Sequence, residues 1–103
     1  MYYLGIDIGG TKCAVSVGSV VDESISILER AETPTKKDPL LTLGALEPQV
    51  FEYIKKYEIK SAGISSGGPL DSERGVIINP PNLPGWENFH ITKYVKDRFG
   101  TLA

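Results

Sequence analysis

The feature that most constrains this chain is a pair of adjacent glycines, Gly9-Gly10, set between two runs that both read as strand. Residues 2–8 (YYLGIDI) are rich in aromatic and β-branched types and stop at the glycines. Residues 13–17 (CAVSV) alternate with period two. Two such runs separated only by a glycine turn fold back on each other, so the first element is a tight hairpin. Residues 24–31 (SISILERA) alternate less cleanly, and the loop at 20–23 (VVDE) closes a second pair. The result expected is an antiparallel meander of three strands.

Residues 33–39 (TPTKKDP) form a polar, proline-bearing connector, and Asp38-Pro39 has the form of an N-cap followed by proline at the first helical position. A helix is predicted to begin there. Leu43, Leu46, Val50, Ile54 and Tyr57 then recur at spacings of three and four, a stripe suited to facing a sheet. Pro48 interrupts this pattern: its ring presses on the carbonyl of Gly44 and one backbone hydrogen bond is lost, which predicts a kink or a break into two short helices. Residues 60–66 (KSAGISS) read as a small-residue strand entering a second glycine turn, Gly67-Gly68-Pro69. After the turn-like 71–74 (DSER), residues 75–78 (GVII) read as a further strand. Four of the eight residues in 79–86 (NPPNLPGW) are proline or glycine, so that segment is irregular. Ile91, Tyr94, Val95 and Phe99 have helical spacing within 90–99, and Gly100 supplies the stop.

Composition excludes several function classes. The net charge is −2 and the lysines are scattered, so there is no basic stripe of the kind nucleic acid requires. Cys13 is the only cysteine, which rules out an internal disulfide and a multi-cysteine zinc site within these residues. No window approaches the roughly 20 apolar residues of a membrane span, and Asp7 with Gly9-Gly10 interrupts any leader-like run. A cytoplasmic protein with no nucleic-acid or membrane partner is expected.

The chemistry concentrates at Asp7, Gly9, Gly10, Thr11 and Lys12. A glycine turn lets backbone N–H groups converge on one concavity, which binds phosphate oxygens; Lys12 adds charge and Thr11 a hydroxyl. Asp7 would repel a phosphate unless Mg²⁺ or a water lies between them. Taken alone, the string DIGGTK reads equally as an ordinary hairpin whose aspartate is a solvated cap. The second cluster is Gly67-Gly68-Pro69 with the irregular segment 79–86. Glycine allows close approach to the backbone, and the amides of Asn79 and Asn82 offer donors and acceptors to a polyhydroxylated ligand. Trp86 is either an apolar platform for such a ligand or, the better reading, a core residue. His90 reads as a capping or packing residue, Asp71 and Asp97 as solvated surface groups, and Cys13 as a small core residue.

Three motifs in this order, DIGGTK, GISSGGPLD and GVIINPPNLPGW, resemble the N-terminal part of the ROK family, which comprises bacterial sugar kinases such as glucokinase and N-acetylmannosamine kinase together with sugar-responsive repressors. The resemblance covers nearly the whole chain. It implies an α/β fold: the N-terminal lobe of an actin-like ATPase (ribonuclease H-like) fold, a mixed sheet with an antiparallel β-meander and flanking helices. It further implies an ATP-dependent kinase acting on a hexose hydroxyl, with Gly9, Gly10, Thr11 and Lys12 on the ATP phosphates, Asp7 near Mg²⁺, and Gly68, Asn79 and Asn82 near the sugar.

Family members place their catalytic aspartate in an Asn-Asp-x-Asn motif, followed by a structural zinc motif and an adenosine-binding lobe. None of these occurs in residues 1–103, so the resemblance puts the catalytic aspartate beyond Ala103 and leaves no catalytic residue within the chain. The expectation is therefore an inactive N-terminal fragment of a homo-oligomeric kinase of roughly 300 residues, with an apolar face left open where the second lobe would sit. Two other readings are a repressor body and a free-standing sugar or nucleotide binding module. Repressors carry a DNA-binding helix-turn-helix ahead of the phosphate loop, whereas only six residues precede Asp7 here.

Overall fold

The computed structural model describes residues 1–66, 70–71, 75–77, 85–86 and 89–100. Three strands, β1 (Tyr2–Ile8), β2 (Lys12–Val21) and β3 (Ser24–Pro34), form the antiparallel meander. The helix α1 (Pro39–Lys56) then carries the chain to β4 (Ile59–Ser66), which pairs parallel to β1 and gives a mixed sheet of order β3-β2-β1-β4. A two-stranded ladder of β5 (Leu70–Asp71) and β6 (Val76–Ile77) follows, and the helix α2 (Ile91–Phe99) ends the described chain. Asp71, expected in a turn, is part of this ladder and pairs with Val76.

The period-two pattern determines which face of the sheet is buried. Leu4, Ile6 and Ile8 of β1 and Cys13, Val15 and Val17 of β2 are buried against Leu43, Leu46, Val50 and Tyr53 of α1. Tyr53 is almost fully buried within the stripe although it lies outside the spacing read from the sequence, while Ile54 is only partly buried. Ile77, Trp86, Ile91, Tyr94 and Val95 continue the same core. On the opposite face Ile25 and Ile27 are 73% and 61% exposed, and they flank a shallow depression of about 350 Å³ lined also by Gly5, Ser16, Gly18 and Gly63.

The strand ends differ from the sequence reading for a local reason. β2 runs on to Val21, and the chain reverses at Asp22-Glu23, whose φ values of 49° and 66° are those of the two central residues of a type I′ turn. β3 extends through Thr33 and Pro34, which the sequence placed in the connector. A proline is tolerated there because β3 is an edge strand and Pro34 is its last residue, so no ladder hydrogen bond is lost.

The start of α1 follows its sequence signal: the Asp38 carboxylate accepts from the Leu40 N–H at 2.9 Å, and Pro39 occupies the first turn. At the other end the Tyr57 hydroxyl donates to Glu29 of β3 at 2.6 Å. Pro48 does not split the helix, which is continuous over 18 residues. Leu43 and Leu46 before it and Val50 and Tyr53 after it are buried on one face, so both halves are held by one core. Gly44, whose carbonyl Pro48 cannot bond, is only half-buried. In α2, His90 occupies the N-cap position but makes no side-chain capping bond, and its side chain is exposed, so it has neither of the roles expected for it. The Tyr94 hydroxyl donates to Glu47 and the rings of Phe51 and Phe99 meet edge-on at 5.1 Å, which docks α2 onto α1. Gly100, with φ 88°, closes α2 as predicted. Among the described residues no helix is long and apolar enough to cross a membrane.

Replacing Pro48 with alanine restores an N–H opposite the Gly44 carbonyl. It is expected to raise stability by about 1–3 kcal/mol, read as an increase in the urea midpoint. A decrease would show that the ring is needed for packing.

Candidate functional site

The glycine turn joins β1 to β2 at one end of the sheet. Ile8 and Cys13 are the last paired residues, and one backbone hydrogen bond, from Gly9 N–H to the Lys12 carbonyl at 3.1 Å, closes the turn. A Cβ added to Gly9 would lie 2.8 Å from the Lys12 carbonyl oxygen, so the turn cannot close this tightly around a larger residue. Among the described residues the amide N–H groups of Gly10 and Thr11 have no hydrogen-bond partner, and both residues are exposed. The turn therefore offers free backbone donors at a solvent-facing position, as an anion-binding nest requires.

Asp7 is exposed on the sheet face opposite the core. In register it stands between Ser65 of β4 and Ala14 of β2, and Ala14 in turn stands beside Glu32 of β3. Two carboxylates thus lie in one row across the sheet, roughly 10 Å apart at a strand spacing of ~4.8 Å. Lys12 points along this row: its Nζ lies 3.0 Å from a Glu32 carboxylate oxygen, which also receives Arg30 at 2.5 Å. Hydrogen bonding from Arg30, and then from Lys12, holds the Glu32 carboxyl below the usual carboxylate range. Because the Lys12 side chain is 61% exposed, this ion pair is weak and the ammonium is free to reach another anion. Thr11, Lys12, Glu32, Thr33 and Pro34 line an open hollow beside the turn.

The parallel strands β1 and β4 end at the same place. Ser66 pairs with Ile8, so the chain leaves β4 beside the point where β1 enters its turn. In mixed and parallel sheets ligands gather beyond the carboxyl ends of the strands. Gly68, Asn79 and Asn82, the residues expected near the sugar, lie outside the described residues. So does Ala103, the residue beyond which the catalytic aspartate is expected. Trp86 is fully buried, and its indole N–H donates to the Lys36 carbonyl at 2.8 Å, so it belongs to the core and is not an exposed platform. Asp97 is paired with Lys93 on the surface of α2. Cys13 is buried, as expected.

Among the described residues no three His, Cys, Asp or Glu groups gather as a metal site, at Asp7 or elsewhere. One carboxylate with open solvent access suits Mg²⁺, which is commonly held by one or two carboxylates, water and substrate phosphates. Sequence reasoning missed two features of the site. Glu32 reads only as a residue near a strand end, and Thr35 only as a polar connector residue. Thr35 donates its hydroxyl to the Gly9 carbonyl at 2.7 Å and its backbone N–H to the Thr11 carbonyl at 2.9 Å. Nothing local marks Thr35, since it meets the turn only through the β2–β3 pairing.

Two outcomes are expected. Gly9→Ala forces the Lys12 carbonyl away and should abolish saturable binding of inorganic tripolyphosphate, followed by amide shifts. Arg30→Gln should raise the Glu32 carboxyl toward its ordinary carboxylate value, followed by carbon-detected titration. The folded value is depressed, so the stability that Glu32 contributes is present above the ordinary carboxylate value and is lost as pH falls through the folded one. The variant should narrow that acidic window.

The family profile described as "ROK family" matches residues 3–102. The chain is 34% identical over 82 residues to a glucokinase of Pyrobaculum calidifontis, a match that takes in 80% of this chain and 24% of that protein. It is 37% identical over 110 residues to an N-acetylmannosamine kinase of Citrobacter koseri, covering 100% and 35%. Among solved structures it matches a ROK family glucokinase from Streptomyces griseus in complex with glucose and AMPPNP, with a TM-score of 0.79, 27% identity, and coverage of 98% of this chain and 31% of that one. The chain spans about a quarter to a third of the length of these relatives. With its mixed sheet, its flanking helices and this match over nearly all of its length, the chain belongs to the ROK family and has the actin-like ATPase fold of the family's sugar kinases.

Proposed function

We propose that residues 1–103 are the N-terminal lobe of an ATP-dependent hexose kinase of the glucokinase type. The observation that carries this reading is the glycine turn with two unpaired amides beyond the carboxyl end of β1, next to an exposed aspartate and a lightly held lysine. Transfer of a phosphoryl group asks little covalent chemistry of the protein; it depends on positioning and on neutralising charge. In this assignment the Gly10 and Thr11 amides donate to ATP phosphate oxygens, Gly9 closes the turn that presents them by its own bond to the Lys12 carbonyl, and Lys12 leaves Glu32 for the phosphates. Mg²⁺, when bound, neutralises phosphate charge, and Asp7 would hold it directly or through water. Gly68, Asn79 and Asn82 would contact the sugar. The base that takes the hydroxyl proton belongs to a part of the parent kinase beyond Ala103, as does the adenosine-binding lobe, so this lobe holds phosphate and sugar but does not transfer.

The test is a coupled assay of ATP turnover by residues 1–103 with glucose and with N-acetylmannosamine, alongside direct titration with Mg·ATP. No sugar-dependent turnover is expected, together with saturable nucleotide binding that Lys12→Ala weakens by about tenfold. Turnover by this chain alone would overturn the division of labour. Absence of nucleotide binding would overturn the phosphate assignment.

A further inference from the structure

We infer that Thr35 is a positioning residue for the phosphate turn, acting through the carbonyls of Gly9 and Thr11 to aim the turn's amides outward; this rests on the phosphate reading above. A trans peptide is planar, and its C=O and N–H point in opposite directions. The Gly9 carbonyl shares a peptide plane with the Gly10 N–H, and the Thr11 carbonyl shares one with the Lys12 N–H. Thr35 draws both carbonyls to its own side, with its hydroxyl on Gly9 at 2.7 Å and its N–H on Thr11 at 2.9 Å. The Gly10 N–H, one of the two amides without a partner among the described residues, is thereby turned to the other side, and the Thr11–Lys12 peptide that follows the second unpaired amide is held in place. One residue sets two of the turn's peptide planes, so the donors are arranged before any anion arrives and the cost of ordering them is already met.

Thr35 is itself held firmly. Its hydroxyl oxygen lies 3.3 Å from the buried Cys13 sulfur, and the next residue is fixed at both its backbone groups: Lys36 N–H donates to the fully buried Thr42 hydroxyl at 2.9 Å, and the Lys36 carbonyl accepts from Trp86. The carbonyls of a glycine turn have many orientations open to them. Here their orientation is set by a residue anchored to the core and 26 positions away in sequence from Gly9.

The valine variant Thr35→Val keeps the shape and the backbone N–H but removes the hydroxyl, whereas Thr35→Ser keeps the hydroxyl. Inorganic tripolyphosphate is titrated into the nitrogen-15-labelled chain, following the Gly10 and Thr11 amides. The expected result is saturable binding by the unaltered chain, about tenfold weaker binding by Thr35→Val, and affinity within about twofold of the unaltered chain for Thr35→Ser. Val50→Ala, which loosens the core far from the turn, is expected to retain full affinity although it melts earlier. Thr35→Val binding as tightly as the unaltered chain, or Val50→Ala weakening binding equally, would overturn the inference while leaving the phosphate reading standing. No saturable binding by the unaltered chain would instead overturn the phosphate reading and the inference with it. If Thr35→Val does not fold, Thr35→Ala takes its place with the same expected loss.

Discussion

The burial of one face of β1 and β2 beneath α1 is the interaction on which the rest of the molecule depends. Leu4, Ile6 and Ile8 point into the core and Asp7 points out. A slip of one residue would invert every side chain, placing Asp7 among the leucines and valines and exposing the isoleucines. Burying an unpaired carboxylate costs far more than any hairpin geometry can return. The register is therefore fixed by the core, and with it the positions of Gly9-Gly10 at the turn and of Asp7 on the open face. Chemistry at the end of the sheet is a consequence of packing along its length.

The connector between β3 and α1 is the joint between that core and the turn. Pro34 ends the edge strand, Thr35 bonds the turn, Lys36 bonds Thr42 and Trp86, and Asp38 caps the helix. Gly85 packs so closely against the connector that an added Cβ would collide with the Lys37 carbonyl. Gly85 and Trp86, the end of the segment that carries Asn79 and Asn82, are therefore anchored to the same short stretch that holds the phosphate turn. Among the described residues no buried side-chain nitrogen or oxygen lacks a hydrogen-bond partner, so this joint is satisfied as well as close-packed.

Local signals in the sequence carried far. The bounds of β1, the reversal at Gly9-Gly10, the cap at Asp38-Pro39 and the stop at Gly100 all rest on sterics within a few residues, and all appear as read. Pro48 does not break the helix, for the opposite reason: the loss of one hydrogen bond is local, but the burial of Leu43, Leu46, Val50 and Tyr53 that offsets it is spread over the whole helix. Pro34 reads as connector because its tolerance depends on β3 lying at the sheet edge, a fact of strand order. His90 sits at a helix start and yet makes no cap, because position supplies the opportunity and only geometry supplies the bond.

The sequence by itself determined most of the elements, the family resemblance and the residue types at the turn, since strand alternation, helix capping and glycine's freedom are short-range properties. Only the tertiary structure decided that Thr35 bonds that turn, that Lys12 rests on Glu32, that the buried Trp86 bonds the Lys36 carbonyl, and that β1 and β4 run parallel and end side by side. Each of these joins residues brought together by sheet pairing or by a shared core. The spacing of residues along the chain does not encode such contacts.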